Sequence, residues 1–477
     1  MYIGLDLGTS SLKGLLVDEN GKIIKSKSIS YDVSYPYPSY SEQNPLDWLM
    51  ATKEIIKYLS SGIEDDIRGI SIAGQMHGLV LLDENDNILR PCILWNDGRS
   101  KDECNYLNNE VGINNLKAST ANIAFAGFTL PKLLWVYNNE PEIYKKINKI
   151  MLPKDYIIYS LTGRFVSDYS DSAGTLYLDV KNKCYSKYIL DLCHIKREWL
   201  PELYESYDII GNLKPEYNLK NAKFICGGAD NAMAAIGCGV INNGDVMLSL
   251  GTSGTVLISS DSFINPKNPS MHSFNHSNGK YLLLGCILEA ASAYNWFVKD
   301  ILNIDFNDAI KECTLGENRV YFLPYLMGER TPHNDMDAKG CFIGLTPLTT
   351  KSDMSLSVLE GVAYALNDSI EIARSEGIEI NNIVICGGGS KNKLWSKIIA
   401  NVLNVNVYKA NTEEGPSYGA AMLSYLSVNN KDISELKKLI EYKCIEKPDI
   451  ELVKKYQKKY DTFKKMYPTL KPIFKEL

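Results

Sequence analysis

Short apolar runs separated by turn residues occupy the first thirty positions of the chain. The runs are MYIGLDLG, LKGLLVD and KIIKSKSISY, and the turn sequence DENG separates the second from the third. Apolar runs of this length, bounded by Gly, Asn and Asp, are typical of β-strands joined by tight turns. We therefore predict a three-stranded meander at the start of the chain.

The next segments alternate between helical and extended patterns. Asn44 and Pro45 precede an amphipathic run that ends near Gly62, and a capping side chain followed by proline marks the start of a helix. The run IRGISIAG predicts a buried strand that ends at the loop GQMHG, and LVLLDENDNILR predicts a hairpin. Residues 104–210 are expected to be mostly helical.

A strand that enters a glycine-rich loop and then a helix is predicted at two further places. The first is KFICGGADNAMAAIGCG, and the second is NNIVICGGGS followed by KNKLWSKIIANVL. Clusters of glycine between an apolar run and a helical pattern are typical of loops that bind ligands at strand ends. A final helix is expected to begin at Pro416.

The chain also repeats a short turn sequence. LDLGTSS begins at Leu5 and LSLGTSG begins at Leu248, each at the start of a predicted hairpin. Because each half later contains a strand, a glycine-rich loop and a helix, we predict a duplicated α/β fold of two lobes that face each other across a central cleft. The boundary is expected near Asn242–Asp245, which gives domains of 1–243 and 244–477.

Composition and charge narrow the class of protein. The chain has 477 residues, of which 45% are hydrophobic and 23% charged, and its net charge is −6. These values are ordinary for a globular protein and argue against a nucleic-acid or anionic-membrane partner. No signal peptide or membrane span is recognisable. Eleven scattered cysteines without a CxxC pair favour reduced thiols in the cytoplasm. His272 and His276 could share a helical face, but a zinc site is not expected.

The two LGTS turns favour phosphate binding. A Gly-Thr-Ser turn exposes backbone N–H groups and hydroxyls, and two such turns could hold one triphosphate from both sides. Asp6 precedes the first turn, whereas Ser249 takes its place before the second. We interpret Asp6 as a carboxylate that holds Mg²⁺ against the phosphates. The residues of the two turns are Gly8, Thr9, Ser10, Gly251, Thr252 and Ser253.

Three other segments could form the site of a molecule that accepts a phosphoryl group. Asp230 follows a strand and begins a helix, where backbone N–H groups and the helix dipole should keep it ionised, so it is the candidate general base. By itself it could equally be a capping residue. The GQMHG loop presents Gln75, Met76 and His77 to a polyol, and the WNDGR segment, with Trp95 and Asp97, either lines the same pocket or ends a strand.

The sequence resembles the FGGY carbohydrate kinases, which have the actin/Hsp70/hexokinase fold, a ribonuclease H-like architecture. GFTLPKLLWVYNNE (127–140) and GCFIGLTPLTTKSDMSLSVLEG (340–361) are similar to the two signatures of the family. AGQMHGLVLLD, LPKDYIIYSLTG, SDYSDSAGTLYLD and FLPYLMGERTPH look most like the members that act on D-xylulose. The resemblance implies transfer of a phosphoryl group from ATP, with Mg²⁺, to the C5 hydroxyl of D-xylulose in xylose catabolism, by a cytoplasmic homodimer.

The resemblance also implies roles for individual residues. The first domain would carry the sugar and the base, and the second would carry the nucleotide. Asp230 would be the base and Asp6 a carboxylate on the phosphate side. Sugar contacts would come from Met76, His77, Asp230 and Asn231, and Gly387, Gly388 and Asn392 would face the adenosine. Two alternatives stay open: a family member for another ketose or polyol, such as ribulose, gluconate or glycerol, and a non-metabolic ATPase of the same superfold.

Overall fold

The computed structural model describes residues 1–311, 313–412 and 414–477, which fall into two compact units. Unit 1 comprises 1–241, 273–282 and 414–440, and unit 2 comprises 242–272, 283–413 and 441–477. The first boundary lies next to the one expected from the sequence. Two later segments, 273–282 and 414–440, nevertheless belong to unit 1. No single point of the chain therefore divides it into the two units.

The elements up to residue 241 all belong to unit 1. The strands are β1 (Tyr2–Leu7), β2 (Ser11–Val17), β3 (Ile23–Ser30), β4 (Glu42–Gln43), β5 (Gly69–Gly74), β6 (Val80–Leu82), β7 (Cys92–Ile93), β8 (Lys149–Met151), β9 (Val166–Asp168), β10 (Leu178–Asp179), β11 (Cys184–Tyr185), β12 (Glu202–Tyr204), β13 (Ile209–Asn212), β14 (Lys223–Ile225) and β15 (Gly228–Ala229). The α-helices are α1 (Pro45–Ser60), α2 (Lys101–Asn105), α3 (Ile113–Thr120), α4 (Thr129–Asn139), α5 (Pro141–Tyr144), α6 (Pro153–Thr162), α7 (Tyr169–Ser172), α8 (Lys187–Leu192) and α9 (Asp230–Gly237).

The later elements are divided between the units as the boundaries above require. The strands are β16 (Val246–Leu250), β17 (Gly254–Ser260), β18 (His272–Asn275), β19 (Tyr281–Ile287), β20 (Tyr321–Leu323), β21 (Cys341–Ile343), β22 (Asn382–Cys386), β23 (Asn406–Ala410) and β24 (Tyr442–Glu446). The α-helices are α10 (Ala291–Asn295), α11 (Phe306–Ala309), α12 (Lys351–Ser375), α13 (Lys393–Leu403), α14 (Gly415–Val428), α15 (Leu436–Leu439) and α16 (Ile450–Phe474). Short 3-10 and π turns lie at Glu64–Asp66, Tyr106–Gly112, Ala173–Thr175, Arg197–Trp199, Pro215–Tyr217, Trp296–Ile301, Gly388–Lys391 and Ile433–Glu435.

The main sheet of unit 1 has the order β13-β14-β5-β1-β2-β3. The antiparallel β1–β2 and β2–β3 pairs confirm the predicted meander, and β5 lies parallel to β1. Helix α1 begins where the sequence predicts, because the Asn44 side chain accepts from the N–H of Leu46 and Pro45 occupies the first turn. The buried apolar side of α1, which includes Trp48 and Ile55, belongs to the same core as the buried residues of β1.

Unit 2 repeats this arrangement. Strands β16 and β17 form the antiparallel hairpin, β22 lies parallel to β16, β23 parallel to β22, and β24 closes the edge antiparallel to β23. The order β24-β23-β22-β16-β17 therefore matches β13-β14-β5-β1-β2 of unit 1. The matching order confirms the predicted duplicated α/β fold class, and each unit has its own apolar core.

Three local predictions need correction. Helix outweighs strand in the region 104–210, as expected, but six short strands, β8 to β13, lie between its helices or just after them. The expected hairpin at 79–90 is short, with a bridge between Leu82 and Ile88 and a hydrogen bond from the Leu89 N–H to the Leu81 carbonyl, and β6 also pairs with β8. Helix α14 begins at Gly415 as expected but is not the last helix, since α15 and the 25-residue α16 follow. Across the described ranges, no helix has the length and apolar character needed to cross a membrane.

Candidate active site

Strand register brings three predicted site segments of unit 1 to one edge of the sheet. Strand β5 lies between β1 and β15, and both neighbours run parallel to it. Asp6 pairs with Ala73, which pairs with Gly228 on the other side, and the next row is Leu7, Gly74 and Ala229. The carboxyl ends of these strands therefore open at the same level, which is where ligands bind in α/β sheets. The LGTS turn, the GQMHG loop and Asp230 come directly after the ends of these three strands.

Asp230 is the first residue of α9 and is mostly surrounded by protein. Burial raises the pKa of its carboxyl group from 3.8 to about 6, and the N–H of Asn231, which donates to Oδ1 over 2.6 Å, opposes that rise. Desolvation therefore outweighs the backbone N–H group, which was expected to keep the carboxylate ionised. At neutral pH the group is still mostly ionised, as a general base must be.

Asp6 is the second carboxylate at this edge. Burial and then the charge of Asp230 raise its pKa to about 7, and Lys13, its partner in the β1–β2 register, opposes the rise. A carboxylate destabilised by another carboxylate is one that a nearby cation stabilises, and oxygen ligands of this kind suit Mg²⁺. The donor chemistry of Asp6 therefore fits the metal that kinases use. Among the described residues no group of three His, Cys, Asp or Glu side chains forms a metal cluster, and His272 begins a strand rather than a helix.

His77 is held in a strained conformation in the GQMHG loop. Its φ of 70° lies in the left-handed region, which is unfavourable for a residue with a side chain. Its carbonyl accepts from the buried Lys132 ammonium (2.9 Å) and from the Thr129 hydroxyl (3.1 Å), both on α4. Its ring Nδ1 lies 2.7 Å from the carbonyl oxygen of Gly174, so Nδ1 carries the proton and Nε2 is the acceptor of the neutral ring.

Aromatic and sulfur side chains surround this imidazole. The His77 ring stacks on Phe128 at 4.6 Å between centroids, and Phe274 lies 6.5 Å away. Met76 is buried, and its sulfur accepts from the Asn231 amide at 3.7 Å. These contacts connect the GQMHG loop with the start of α9, so the structure brings Met76, His77, Asp230 and Asn231 into one neighbourhood.

A hydrogen-bond chain links the first LGTS turn to the predicted acceptor loops. The indole N–H of Trp95 donates to Thr9 Oγ1 (2.9 Å), and Thr9 donates to Gln75 Oε1 (3.0 Å). The Gln75 amide donates in turn to Gln43 (3.2 Å), whose own amide donates to the Thr9 carbonyl (2.7 Å). Trp95 is 47% exposed although its N–H is bound, so its ring faces are available to a ligand.

Asp97 is placed differently from Trp95. It is 2% exposed, and both of its carboxylate oxygens accept from the Arg99 guanidinium, at 2.9 and 2.8 Å. One of them also accepts from the N–H of Ser41. Arg99 in turn pairs with Glu42. These contacts indicate that Asp97 fixes the loop that carries Trp95, and its contact with sugar stays a prediction.

In unit 2 the second LGTS turn is braced by the segment that begins α10. The N–H groups of Ala290 and Ala291 donate to the carbonyls of Thr252 (2.8 Å) and Gly251 (2.9 Å). The hydroxyl of Ser292 also donates to the Thr252 carbonyl (2.6 Å). Because the turn carbonyls are engaged in this way, the turn is held in one conformation. A rigid turn suits an anion site, since the donors need no rearrangement when the ligand binds.

A cavity of about 620 Å³ in the same unit adjoins this brace. Ala291 lines it together with Gly388 and Asn392, two of the residues predicted to face adenosine. Gly387 has a φ of 82°, and a Cβ there would lie 2.7 Å from the Leu250 carbonyl oxygen, so only glycine fits. Asn392 also caps α13, since its side chain accepts from the N–H of Trp395 at 3.1 Å.

Several residues of both sites were not found from the sequence. In unit 1 these are Gln43, Phe128, Lys132 and Phe274, and in unit 2 they are Tyr294 and Phe306, whose stacked rings line the cavity. Phe128 and Lys132 lie within the 127–140 signature, which was a signal for both, whereas Gln43, Phe274, Tyr294 and Phe306 lie in segments with no motif of their own. The aromatic content of AYNWF was a further signal, for Tyr294.

Two α/β units of matching topology, each opening on the same Gly-Thr-Ser hairpin, together with an aspartate at a strand–helix junction, define a two-domain kinase fold. The chain matches the FGGY family of carbohydrate kinases, through its N-terminal domain over residues 1–237 and its C-terminal domain over residues 246–427. The chain belongs to this family, and membership of a kinase family implies ATP as the phosphoryl donor.

Individual relatives cover the chain from end to end. The xylulose kinase of Escherichia coli K12 is 38% identical over 484 residues, which span 99% of this chain and 100% of that protein. The ligand-bound xylulose kinase of Lactobacillus acidophilus has a TM-score of 0.95 at 28% identity, with 99% of each chain covered. The gluconate kinase of the same organism has a TM-score of 0.94 at 29% identity, covering 98% of this chain and 97% of its own.

Proposed function

We propose that the protein transfers the γ-phosphoryl group of ATP to the C5 hydroxyl of D-xylulose, which yields D-xylulose 5-phosphate and ADP. The observation that carries the proposal is the placement of Asp230 beside Met76, Asn231 and the GQMHG loop, at the carboxyl end of a parallel strand. End-to-end similarity to a protein named xylulose kinase supports D-xylulose over the other sugars.

In this mechanism Asp230 accepts the proton of the C5 hydroxyl as that oxygen attacks the γ-phosphorus. The O5–H bond breaks, the O5–P bond forms, and the bond from the γ-phosphorus to the bridging oxygen breaks, so that ADP leaves with its electron pair. A carboxyl with a pKa of about 6 is ionised at neutral pH and basic enough to take this proton. Most of the acceleration is expected from positioning and charge stabilisation.

Unit 1 is proposed to hold the sugar. The His77 ring is oriented by the Gly174 carbonyl and by Phe128, so a sugar hydroxyl can donate to Nε2 without reorganising the loop. Gln75, Asn231 and the exposed face of Trp95 supply further polar and apolar contacts. Such a mixture of fixed polar groups and rings is typical of a small-molecule site.

Unit 2 is proposed to hold the nucleotide. The cavity beside Gly387, Gly388 and Asn392 accommodates the adenosine. The phosphates are expected at the turn of Gly251, Thr252 and Ser253 and at that of Gly8, Thr9 and Ser10, where the N–H of each glycine closes the turn and the threonine and serine are the candidate donors. Mg²⁺ bound with the nucleotide would offset the phosphate charge, and Asp6 is the residue that would hold it. The eleven cysteines are present as thiols, which favours action in the cytoplasm, and a homodimer stays a prediction for sedimentation to measure.

The test is release of ADP, coupled to NADH oxidation, with D-xylulose, D-ribulose, gluconate and glycerol as acceptors. We expect kcat/KM to be highest for D-xylulose and the product to carry phosphate on C5 by ³¹P and ¹³C NMR. A higher kcat/KM for gluconate or another sugar would assign the site to that sugar. ADP release that needs no sugar would instead indicate an ATPase.

A further inference from the structure

A buried chain of hydrogen bonds leads from the backbone next to Asp230 into the interior of unit 1. The N–H of Ala229, the residue before Asp230, donates to Ser170 Oγ over 3.0 Å. Ser170 Oγ in turn donates to Asp168 Oδ2 over 2.5 Å. The exposure of all these residues except Asp230 is 1% or less. A main-chain donor beside the candidate base is therefore tied to a buried carboxylate through one hydroxyl.

Asp168 is held in place from several sides. The same oxygen accepts from the N–H of Ser170 (2.8 Å) and from the hydroxyl of Ser206 (2.6 Å). Its other oxygen lies 3.0 Å from the ammonium of Lys154, which is itself fully buried and also pairs with Asp155. A buried carboxylate that accepts from this many donors cannot move without breaking several hydrogen bonds and an ion pair.

The strand that precedes Asp230 lies directly on these serines. A Cβ atom added at Gly228 would lie 2.4 Å from Ser277 Oγ and 2.7 Å from Ser170 Oγ. A side chain at 228 would force these hydroxyls to move, so glycine lets the backbone lie against them in the arrangement seen.

We propose that Asp168 and Ser170 are positioning residues that hold the Gly228–Ala229 backbone and so fix the Asp230 carboxylate for proton transfer. The inference rests on the proposed function for its kinetic consequences. Neither side chain touches the sugar or the nucleotide in that function. Their effect is therefore expected on the chemical step and not on substrate binding.

The test compares Ser170→Ala with Ser172→Ala. Ser172 lies on the same short helix and is equally buried, but its hydroxyl donates to Ser167 and not to the 228–230 segment. Ser170→Ala is expected to lower kcat by roughly 10–100-fold, the size of effect that a misplacement of about 1 Å produces. The KM values for D-xylulose and ATP should stay within about threefold of wild type, and Ser172→Ala should have near-wild-type kcat.

The pH profile gives a second readout. If the backbone at 229 moves, the bond from the Asn231 N–H to Asp230 weakens, and the pKa of Asp230 rises further. The acidic limb of the kcat profile should then move to higher pH in Ser170→Ala and stay in place in Ser172→Ala. Asp6 and Asp171 are the titratable groups that Asp230 affects electrostatically, and neither substitution alters them.

Hydrogen exchange separates this inference from the proposed function. Peptides that span 226–233 should exchange faster in Ser170→Ala than in wild type or Ser172→Ala, whatever the acceptor of the enzyme is. If the wild-type protein shows no sugar-dependent turnover, the proposed function is wrong, but the positioning role is not contradicted. Unchanged exchange, or equal kcat values for the two serine variants, would overturn the positioning role, as would a loss confined to KM. Ser206→Ala, which leaves the Ser170–Ala229 bond in place, should keep the wild-type exchange rate.

Discussion

Replacing Asp230 with Asn should make the free protein more stable and nearly inactive. Burial raises the pKa of this carboxyl group from 3.8 to about 6, so the folded state binds a proton more tightly than the unfolded state does. For an acid shifted in this direction, stability falls as pH rises from about 4 to 6, and the full cost is present above that range. A rise of this size corresponds to about 3 kcal/mol.

Asn keeps the shape of the side chain and the oxygen that accepts from the N–H of Asn231, but it removes the buried charge. At pH 7.5 the free energy of unfolding of Asp230→Asn should therefore exceed that of wild type by up to about 3 kcal/mol. The difference should shrink as the pH falls below 6 and disappear only below about pH 3, where the wild-type carboxyl group is protonated in both states. Turnover should fall at least about 10³-fold, because the base is absent.

The assay is urea unfolding followed by fluorescence at pH 4.5, 6 and 7.5, together with coupled ADP release. Asp97→Asn is the control, because Asp97 is also a carboxylate held within unit 1 but both its oxygens are bound by Arg99. Removing that charge takes away one carboxylate partner of the buried Arg99 guanidinium, which keeps its ion pair with Glu42, and should destabilise the protein by about 1.5–3 kcal/mol. A loss of stability in Asp230→Asn at pH 7.5, or a difference that does not depend on pH, would refute the reasoning. Near-wild-type turnover would exclude Asp230 as the base.

Three further predictions concern separate parts of the two sites. Asp6→Asn should raise the Mg²⁺ concentration needed for half-maximal turnover and leave the KM for D-xylulose nearly unchanged, and an unaltered Mg²⁺ titration would exclude Asp6 from the metal site. His77→Ala should lower kcat/KM for D-xylulose by about 5- to 150-fold, which is the loss of one hydrogen bond of roughly 1–3 kcal/mol, with the KM for ATP within a few fold; a loss that falls mainly on ATP would make His77 structural. Phe306→Ala, at a 40% exposed ring of the unit 2 cavity, should raise the KM for ATP without changing that for D-xylulose, as initial rates over a matrix of both substrates would show.

The parts of the fold that could be predicted from sequence are those specified locally. The β1–β2 and β16–β17 hairpins have apolar runs on both sides of a Gly-Thr-Ser turn, and α1 has its capping residue and proline beside each other. In each case the signal lies within about twenty residues. Helix α16 was missed because Pro468 and Pro472 lie inside it, and proline in a polar, lysine-rich run normally argues against a helix.

Sequence analysis could name only those candidate site residues that lie in recognisable motifs. Asp6, His77 and Asp230 each lie in a glycine-rich segment with a recognisable pattern. Gln43 and Phe274 have no such pattern, and they reach the site through long-range contacts, the first with Gln75 and the second with Phe128. Sequence periodicity contains no information about which distant segments meet, so these residues could be found only in the folded structure.

Asp230 shows how burial in a folded protein can raise the pKa of a carboxyl group. A helix N-terminus by itself stabilises a carboxylate, yet at this position burial is the larger effect and raises the pKa. The backbone before Asp230 is bound by Ser170, whose hydroxyl donates to Asp168, and Asp168 forms a buried ion pair with Lys154. The candidate base is therefore made more basic by desolvation, and in the role proposed for Asp168 it is held by a charge that does not contact it, so that its basicity and its position should be altered by different substitutions.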